Sequence, residues 1–222
     1  MFPMRIKMSN RKYDAILYDL DGTLINSVPV IVDSFIKTYE WMYGECTRSE
    51  EDLKSYIGKP LVECFPMHCD EDQKKLVEKY LEINCEALRN DEVEVFPEVM
   101  EGIVYLKSLG FKQGIMTSKK TESAMITLEL KGMDVLFDGF VFHEDSDKHK
   151  PEAEPLILAA RKLGVTDMSR VLYVGDAIPD AACAKAAGAD FALVAWSDMD
   201  KEFILNNYPG VIISTIKELA LL

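Results

Sequence analysis

Residues 14–25 read DAILYDLDGTLI. A short apolar run, Ala15 to Tyr18, ends in two aspartates, Asp19 and Asp21, with Gly22 directly behind. On an extended strand Asp19 and Asp21 face the same way. Like charges so placed repel, and nothing nearby in sequence neutralises them, so the counter-charge must come from elsewhere in the chain or from solution. Gly22 lets the backbone turn just past Asp21, which allows the second carboxylate to part from the first.

Working outward, Tyr13–Leu20 is the first of a series of strand-like runs. From about residue 90 such runs alternate with helical stretches. Phe111–Met116, Phe137–Phe142, VLYV (171–174), FALVA (191–195) and GVIIS (210–214) read as buried strands. Thr121–Leu130, Glu152–Leu163 and the alanine-rich Pro179–Ala187 read as helices. Alternation of this kind predicts an α/β fold, a doubly wound Rossmann-like parallel sheet with helices on both faces.

Residues 26–90 show no convincing strand. Val28, Ile31, Val32, Phe35, Ile36, Tyr39 and Met42 form the stripe of an amphipathic helix, with Ser27 as N-cap, Pro29 in the first turn and Gly44 as the stop. A second long helix is expected from about Asp70 to Leu88. The predicted organisation is therefore a core of residues 12–25 and 91–222 with an all-α helical insert, residues 26–90.

In open parallel sheets functional groups gather at the carboxyl ends of the strands. Asp19 and Asp21 follow the first run, and Thr117, Ser118 and Lys119 follow FKQGIM. Lys150 precedes Pro151, and Gly175, Asp176 and Asp180 follow VLYV. Four carboxylates and one ammonium on one rim carry about −3 and cannot all stay ionised without a cation. Oxygen-only ligands select a hard ion, and Mg²⁺ is the usual choice. With it in place a carboxylate can approach a phosphoryl group, as an aspartyl-phosphate mechanism requires. Taken singly, Thr117 also suits a helix N-cap, Lys150 a loop lysine and Asp180 a helix-start carboxylate. His68, His143 and His149 read as surface or packing residues, and Trp41 and Trp196 as packing aromatics.

The totals set limits. The 222 residues carry 25 Lys plus Arg against 38 Asp plus Glu, a net charge of −13. That balance argues against nucleic acid or an anionic membrane as partner. Five cysteines, an odd number, suit reduced thiols and a cytoplasmic setting. Cys64, His68 and Cys69 lie close together, but no second ligand pair follows to complete a zinc site. No apolar run reaches the ~18 residues that span a bilayer, and the opening MFPMRIKMSNRKYD has no apolar signal core.

Four ordered pieces, DLDGTL (19–24), MTSK (116–119), KHKPEAEP (148–155) and VGDAIPDAACAKAAGA (174–189), resemble the haloacid dehalogenase superfamily of phosphohydrolases. The resemblance implies Asp19 as nucleophile and Asp21 as general acid/base with its backbone carbonyl on the metal. It implies Thr117 and the Ser118 backbone at the phosphoryl group, with Gly22 beside it, and Lys150 as the neutralising cation. Asp176 and Asp180 would join Asp19 and Asp21 around Mg²⁺. The insert resembles the subfamily I helical cap, where Lys59 of the GKP turn is expected to meet the anionic tail of the substrate. Asp21 fits neither the dehalogenases nor the phosphonate hydrolases, and Gly175 stands where phosphomutases of this family carry Glu. IGKPLVECF (57–65) and VAWS (194–197) resemble phosphoglycolate phosphatases and related bacterial pyrophosphatases. Asn26 and Glu98 depart from the pattern, where Asp and Gly are common. The expected activity is Mg²⁺-dependent hydrolysis of a small, phosphoglycolate-like phosphorylated metabolite by a monomer or homodimer. A β-phosphoglucomutase-like mutase, an inorganic pyrophosphatase and a non-catalytic phospho-acceptor domain are the alternatives.

Overall fold

The computed structural model describes residues 11–57, 59, 61–65 and 70–222. His68 and Cys69, together with Gly58 and Pro60 of the GKP turn and the basic opening segment up to residue 10, lie outside the described residues. In chain order the strands are β1 (Ala15–Tyr18), β2 (Ile25–Asn26), β3 (Glu94–Val95), β4 (Lys112–Met116), β5 (Gly139–Val141), β6 (Val171–Gly175), β7 (Asp190–Val194) and β8 (Val211–Ile213). The helices are α1 (Val28–Tyr43), α2 (Glu50–Lys54), α3 (Leu61–Cys64), α4 (Asp70–Arg89), α5 (Val99–Ser108), α6 (Thr121–Leu130), α7 (Glu154–Lys162), α8 (Ile178–Ala187) and α9 (Lys201–Asn207).

Six strands form one parallel sheet in the order β5-β4-β1-β6-β7-β8. Side chains alternate between its faces. Ile16 and Tyr18 of β1, with Leu172 and Val174 of β6, face one apolar layer completed by Val99, Ile103 and Leu106 of α5 and Leu128 of α6. Ala15 and Leu17, with Val171 and Tyr173, face the other, which α7, α8 and α9 cover through Leu156, Ala184 and Ile204. Helices on both faces explain why these strands read as unbroken apolar runs rather than alternating ones. The order reverses beside β1: β4 and β5 extend to one side, and β6, β7 and β8 to the other. That switch point is where a crevice opens at the strand ends.

The α1–α4 segment buries a third apolar cluster of its own, centred on Phe35, Leu53, Phe65, Leu76 and Tyr80. Phe35 lies 4.5 Å from Tyr80 and 5.3 Å from Phe65, ring centroid to centroid. The chain leaves the sheet through β2 and returns through β3, which pair antiparallel, Ile25 with Val95 and Asn26 with Glu94. This two-strand neck is too short to register as a periodic run in sequence. Gly44 ends α1 in the left-handed region, its N–H donating to the Glu40 carbonyl. Ser27 sits at the N-cap of α1, but its hydroxyl makes no capping bond. Trp41 departs from its expected packing role: it is 52% exposed, with Lys79 Nζ 5.6 Å above its ring. Trp196 does pack, 5.5 Å from Phe96, and its indole N–H donates to the Thr23 carbonyl at 3.2 Å. Cys46, Cys64, Cys85 and Cys183 form no disulfide. No helix of the described residues is long and apolar enough to cross a membrane.

One contact of α5 depends on the absence of a side chain. A Cβ on Gly102 would lie 2.5 Å from Cβ of Ile216, in the C-terminal helical turn. Gly to Ala inside a helix ordinarily adds about 0.5–1 kcal/mol of stability. Here overpacking outweighs that gain, and Gly102→Ala is expected to lower stability by about 1–2 kcal/mol in urea denaturation. An unchanged or raised midpoint would show that the turn moves aside.

Candidate active site

The carboxyl ends of β1, β4 and β6 meet at one rim. Asp19 directly follows β1, and its N–H donates to the Val174 carbonyl at 2.9 Å, extending the ladder by one residue. The side chain is buried, 5% exposed. Lys150 Nζ stands 2.9 Å from Asp19 Oδ1 and 2.7 Å from Asp180 Oδ1. Asp19 Oδ1 is fully shielded, with the Lys150 ammonium beside it. Burial, then the nearby Asp180 and Asp21 charges, raise the Asp19 carboxyl against the pull of Lys150, up to about 7. For Lys150 burial alone would favour loss of its proton, but Asp180 and Asp19 together outweigh it and hold the ammonium charged.

Asp180 is 1% exposed, and its oxygens are occupied. Besides Lys150, Oδ1 lies 3.1 Å from the Tyr173 hydroxyl, whose other neighbour is the Met116 carbonyl at 3.0 Å. Oδ2 accepts the backbone N–H groups of Asp176 and Ala177 at 3.3 and 3.1 Å. Asp180 thus fastens the start of α8 to the end of β6 and carries Lys150. Gly175 makes this possible: a Cβ there would lie 2.5 Å from Cβ of Asp180.

Asp176 comes just after β6. Its Oδ1 accepts the Thr23 hydroxyl at 2.9 Å, and its backbone carbonyl accepts the Ser197 hydroxyl at 2.6 Å. Gly22, at φ +77°, passes so close that a Cβ would meet Asp176 Oδ2 at 2.4 Å. Gly22 was expected to contact substrate; among the described residues it is not part of the main cavity's lining but borders a smaller recess with Asp176 and Trp196. Its lack of a side chain is what leaves room for Asp176. Burial, then the charges of Asp180 and Asp19, push the Asp176 carboxyl well above its ordinary range.

Asp19, Asp176 and Asp180 each offer an oxygen, all within 4.8 Å of one another. Three buried carboxylates carry more negative charge than Lys150 balances. This oxygen-only set fits a hard divalent cation such as Mg²⁺.

Asp21 has its own cation. Lys119 Nζ lies 3.1 and 3.3 Å from its two oxygens, and both side chains are nearly buried. The rim therefore holds two ammonium groups where a reading of the sequence counted one. Thr117 is buried at the end of β4, and its Oγ1 accepts the Lys119 N–H at 3.2 Å, which leaves the hydroxyl proton free to donate. Ser118 follows, half-buried on the cavity wall.

One cavity joins these groups to the helical segment. Asp19, Asp21, Thr117, Ser118, Lys119, Lys150, Asp176 and Asp180 line one side, and residues of α1, α4 and the turn after α2 line the other. Lys59 borders it, exposed, with Nζ 6.0 Å from the Tyr56 ring centroid. His143 also lines it, stacked 4.0 Å from His149, and burial, then His149, keeps its imidazole below the usual range.

Four participants escaped the sequence reading. Lys119 stood in view beside Thr117 and Ser118 but was given no role. Thr23 and Ser197 lie inside stretches singled out for other reasons, DLDGTL and VAWS. Tyr173 passed as an apolar strand residue, although a phenol in a fully buried run needs a partner and so points to one.

The family model described as haloacid dehalogenase-like hydrolase matches residues 16–194. Pyrophosphatase PpaX of Bacillus velezensis is 35% identical over 192 residues, 86% of this chain and 87% of its own length. Pyrophosphatase PpaX of Bacillus pumilus is 31% identical over 213 residues, 96% of this chain and 97% of its own. The crystal structure of a haloacid dehalogenase-like hydrolase from Bacteroides fragilis superposes with a TM-score of 0.84 at 30% identity, over 94% of this chain and 100% of that one. The chain belongs to the haloacid dehalogenase-like hydrolases.

Proposed function

We propose that this enzyme is a phosphatase that hydrolyses a small phosphorylated metabolite through a phosphate ester on Asp19. One observation carries the reading: Asp19 is buried at the cavity wall with Lys150 Nζ 2.9 Å from its Oδ1. Asp19 attacks phosphorus as the bond to the leaving oxygen breaks. Asp21, oriented by Lys119, gives that oxygen its proton. A water then attacks the aspartyl phosphate and yields its proton to Asp21, which releases orthophosphate and restores Asp19. The Thr117 hydroxyl and Ser118 backbone receive the phosphoryl oxygens, and Lys150 balances their charge. Asp19, Asp176, Asp180 and the Asp21 carbonyl would hold Mg²⁺, which when bound lets an anionic nucleophile and an anionic substrate meet. Residues 26–90 act as a cap over this site, with residues 12–25 and 91–222 as the core, and Lys59 stands ready for an anionic tail such as that of phosphoglycolate.

Gly175 supports hydrolysis over phosphomutation, since Asp180 occupies the space a Glu side chain there would need. A second reading, hydrolysis of pyrophosphate, is favoured by the names of the two PpaX relatives. The same Asp19 chemistry would serve it, with an anhydride in place of an ester.

Asp19→Asn is expected to keep the fold, read by circular dichroism, and to lower kcat on p-nitrophenyl phosphate with Mg²⁺ by at least about a thousandfold. Turnover above roughly a tenth of the parent's rate would refute the nucleophile assignment.

Removing the metal exposes a pH dependence. Without a cation, folded Asp19 keeps its proton up to about 7, against an ordinary 3.8, so the folded chain binds more protons than the unfolded one in between. Metal-free stability should therefore fall as pH rises through that window, and the raised Asp176 carboxyl acts in the same direction. Thermal melts are expected to show a lower Tm at about pH 8 than at about pH 5 in chelator, with Mg²⁺ raising Tm more at the higher pH. A Tm gain from Mg²⁺ equal at both values would mean that the cation does not engage these carboxylates.

A further inference from the structure

Three buried phenols of this protein have partners within the fold. Tyr13 donates to Asp190 Oδ2 at 2.7 Å, Tyr18 to Gln113 Oε1 at 2.8 Å and Tyr173 to the Met116 carbonyl at 3.0 Å. Tyr80 of α4 is equally buried, 5% exposed, yet its hydroxyl meets no hydrogen-bond partner among the described residues. The ring is held in the aromatic cluster, its centroid 4.5 Å from that of Phe35 and 6.1 Å from that of Phe65. Tyr80 lines the cavity that Asp19 and Asp21 line from the other side. Burial, then the charge of Asp21, raises the phenol well above its ordinary range, so it keeps its proton and is a donor. The other polar groups on this side are placed differently. Asn84 gives its amide to the Ser34 hydroxyl at 3.2 Å, half-buried Tyr56 packs 5.2 Å from Phe35, and Lys59 is exposed.

We propose that Tyr80 is a catalytic residue supplied by the helical segment: its hydroxyl donates a hydrogen bond to the oxygen that leaves phosphorus. The inference rests on the phosphatase reading and adds a residue to it. A buried phenol without a partner costs free energy, and a bound substrate supplies the partner. Displacement is in line, so the leaving oxygen lies on the side of phosphorus away from Asp19, toward the helical side of the cavity. As the bond from phosphorus to that oxygen breaks and the bond to Asp19 forms, negative charge grows on the leaving oxygen. Asp21 delivers the proton that ends there. Tyr80 keeps its own proton and steadies the charge while the transfer proceeds. A donor fixed by ring packing needs no reorganisation at that moment. Lys59, exposed at the border of the cavity, is left for the far end of the substrate.

The test compares the parent with Tyr80→Phe, which keeps the ring and removes the hydroxyl. With saturating Mg²⁺, kcat/KM is measured on phenyl phosphate and p-nitrophenyl phosphate, two esters of similar shape whose leaving groups differ in basicity. kcat/KM reports the step in which the leaving oxygen departs. Tyr80→Phe is expected to lower it about tenfold to a hundredfold on phenyl phosphate. On p-nitrophenyl phosphate, whose leaving group tolerates negative charge, the loss should stay below about threefold. The melting temperature should be unchanged or higher, because the lost hydroxyl had no partner in the free protein. Equal losses on the two esters would show that the hydroxyl shapes the cavity without touching the leaving oxygen, and no loss would show that it does neither; either overturns the proposal. A melting temperature lowered by more than about 5 °C would mean that the hydroxyl has a structural partner, and overturns it as well. These outcomes leave the phosphatase reading standing, whereas failure of the parent to turn over either ester overturns both.

Discussion

A single buried ammonium organises this molecule. Lys150 sits between Asp19 at the end of β1 and Asp180 in the first turn of α8, 2.9 and 2.7 Å from their oxygens. Three distant parts of the chain are held at one point. The ammonium and each of its carboxylates would carry a heavy desolvation penalty if left unpaired, of several kcal/mol per ion. Together they are tolerated because Asp180 is completed by Tyr173 and two backbone N–H groups. Asp19 has Lys150 as its partner and lines the cavity.

The rest of the rim is arranged by close approach. Gly22 and Gly175 stand where any side chain would strike Asp176 or Asp180. These glycines let carboxylates converge more tightly than their charges favour, and Thr23 and Ser197 then hold Asp176 in place. The Lys119–Asp21 pair repeats the pattern at lower cost, since both groups keep some access to the cavity. Asp19 and Asp21 thus each have their own cation, Lys150 and Lys119. The helical segment supplies the other half of the cavity, and its aromatic cluster is a small core in its own right.

Much of the architecture was legible from sequence. The apolar runs that became β1, β4, β6 and β7 are recognisable because both faces of the sheet are covered, so burial appears in every residue. α1 and α4 were legible through their apolar stripes. The short helices were not. α2 is signalled only by the capping box of Ser49 and Asp52, and α9 by Asp200 accepting the Phe203 N–H. α5 enters from Glu98 at φ +61°, a conformation that no local pattern announces. The β2–β3 neck exists only because two segments nearly seventy residues apart cross.

What the sequence determined by itself was the set of charged and polar groups at the strand ends and their order along the chain: the strands that carry them are apolar, and the turns after them are polar. Which lysine pairs with which aspartate, and how closely Gly22 approaches Asp176, were decided only by the tertiary structure. The reason is physical. A strand's identity depends on its own few residues, whereas the state of a buried charge depends on every group within a few ångströms, and those groups come from all along the polypeptide.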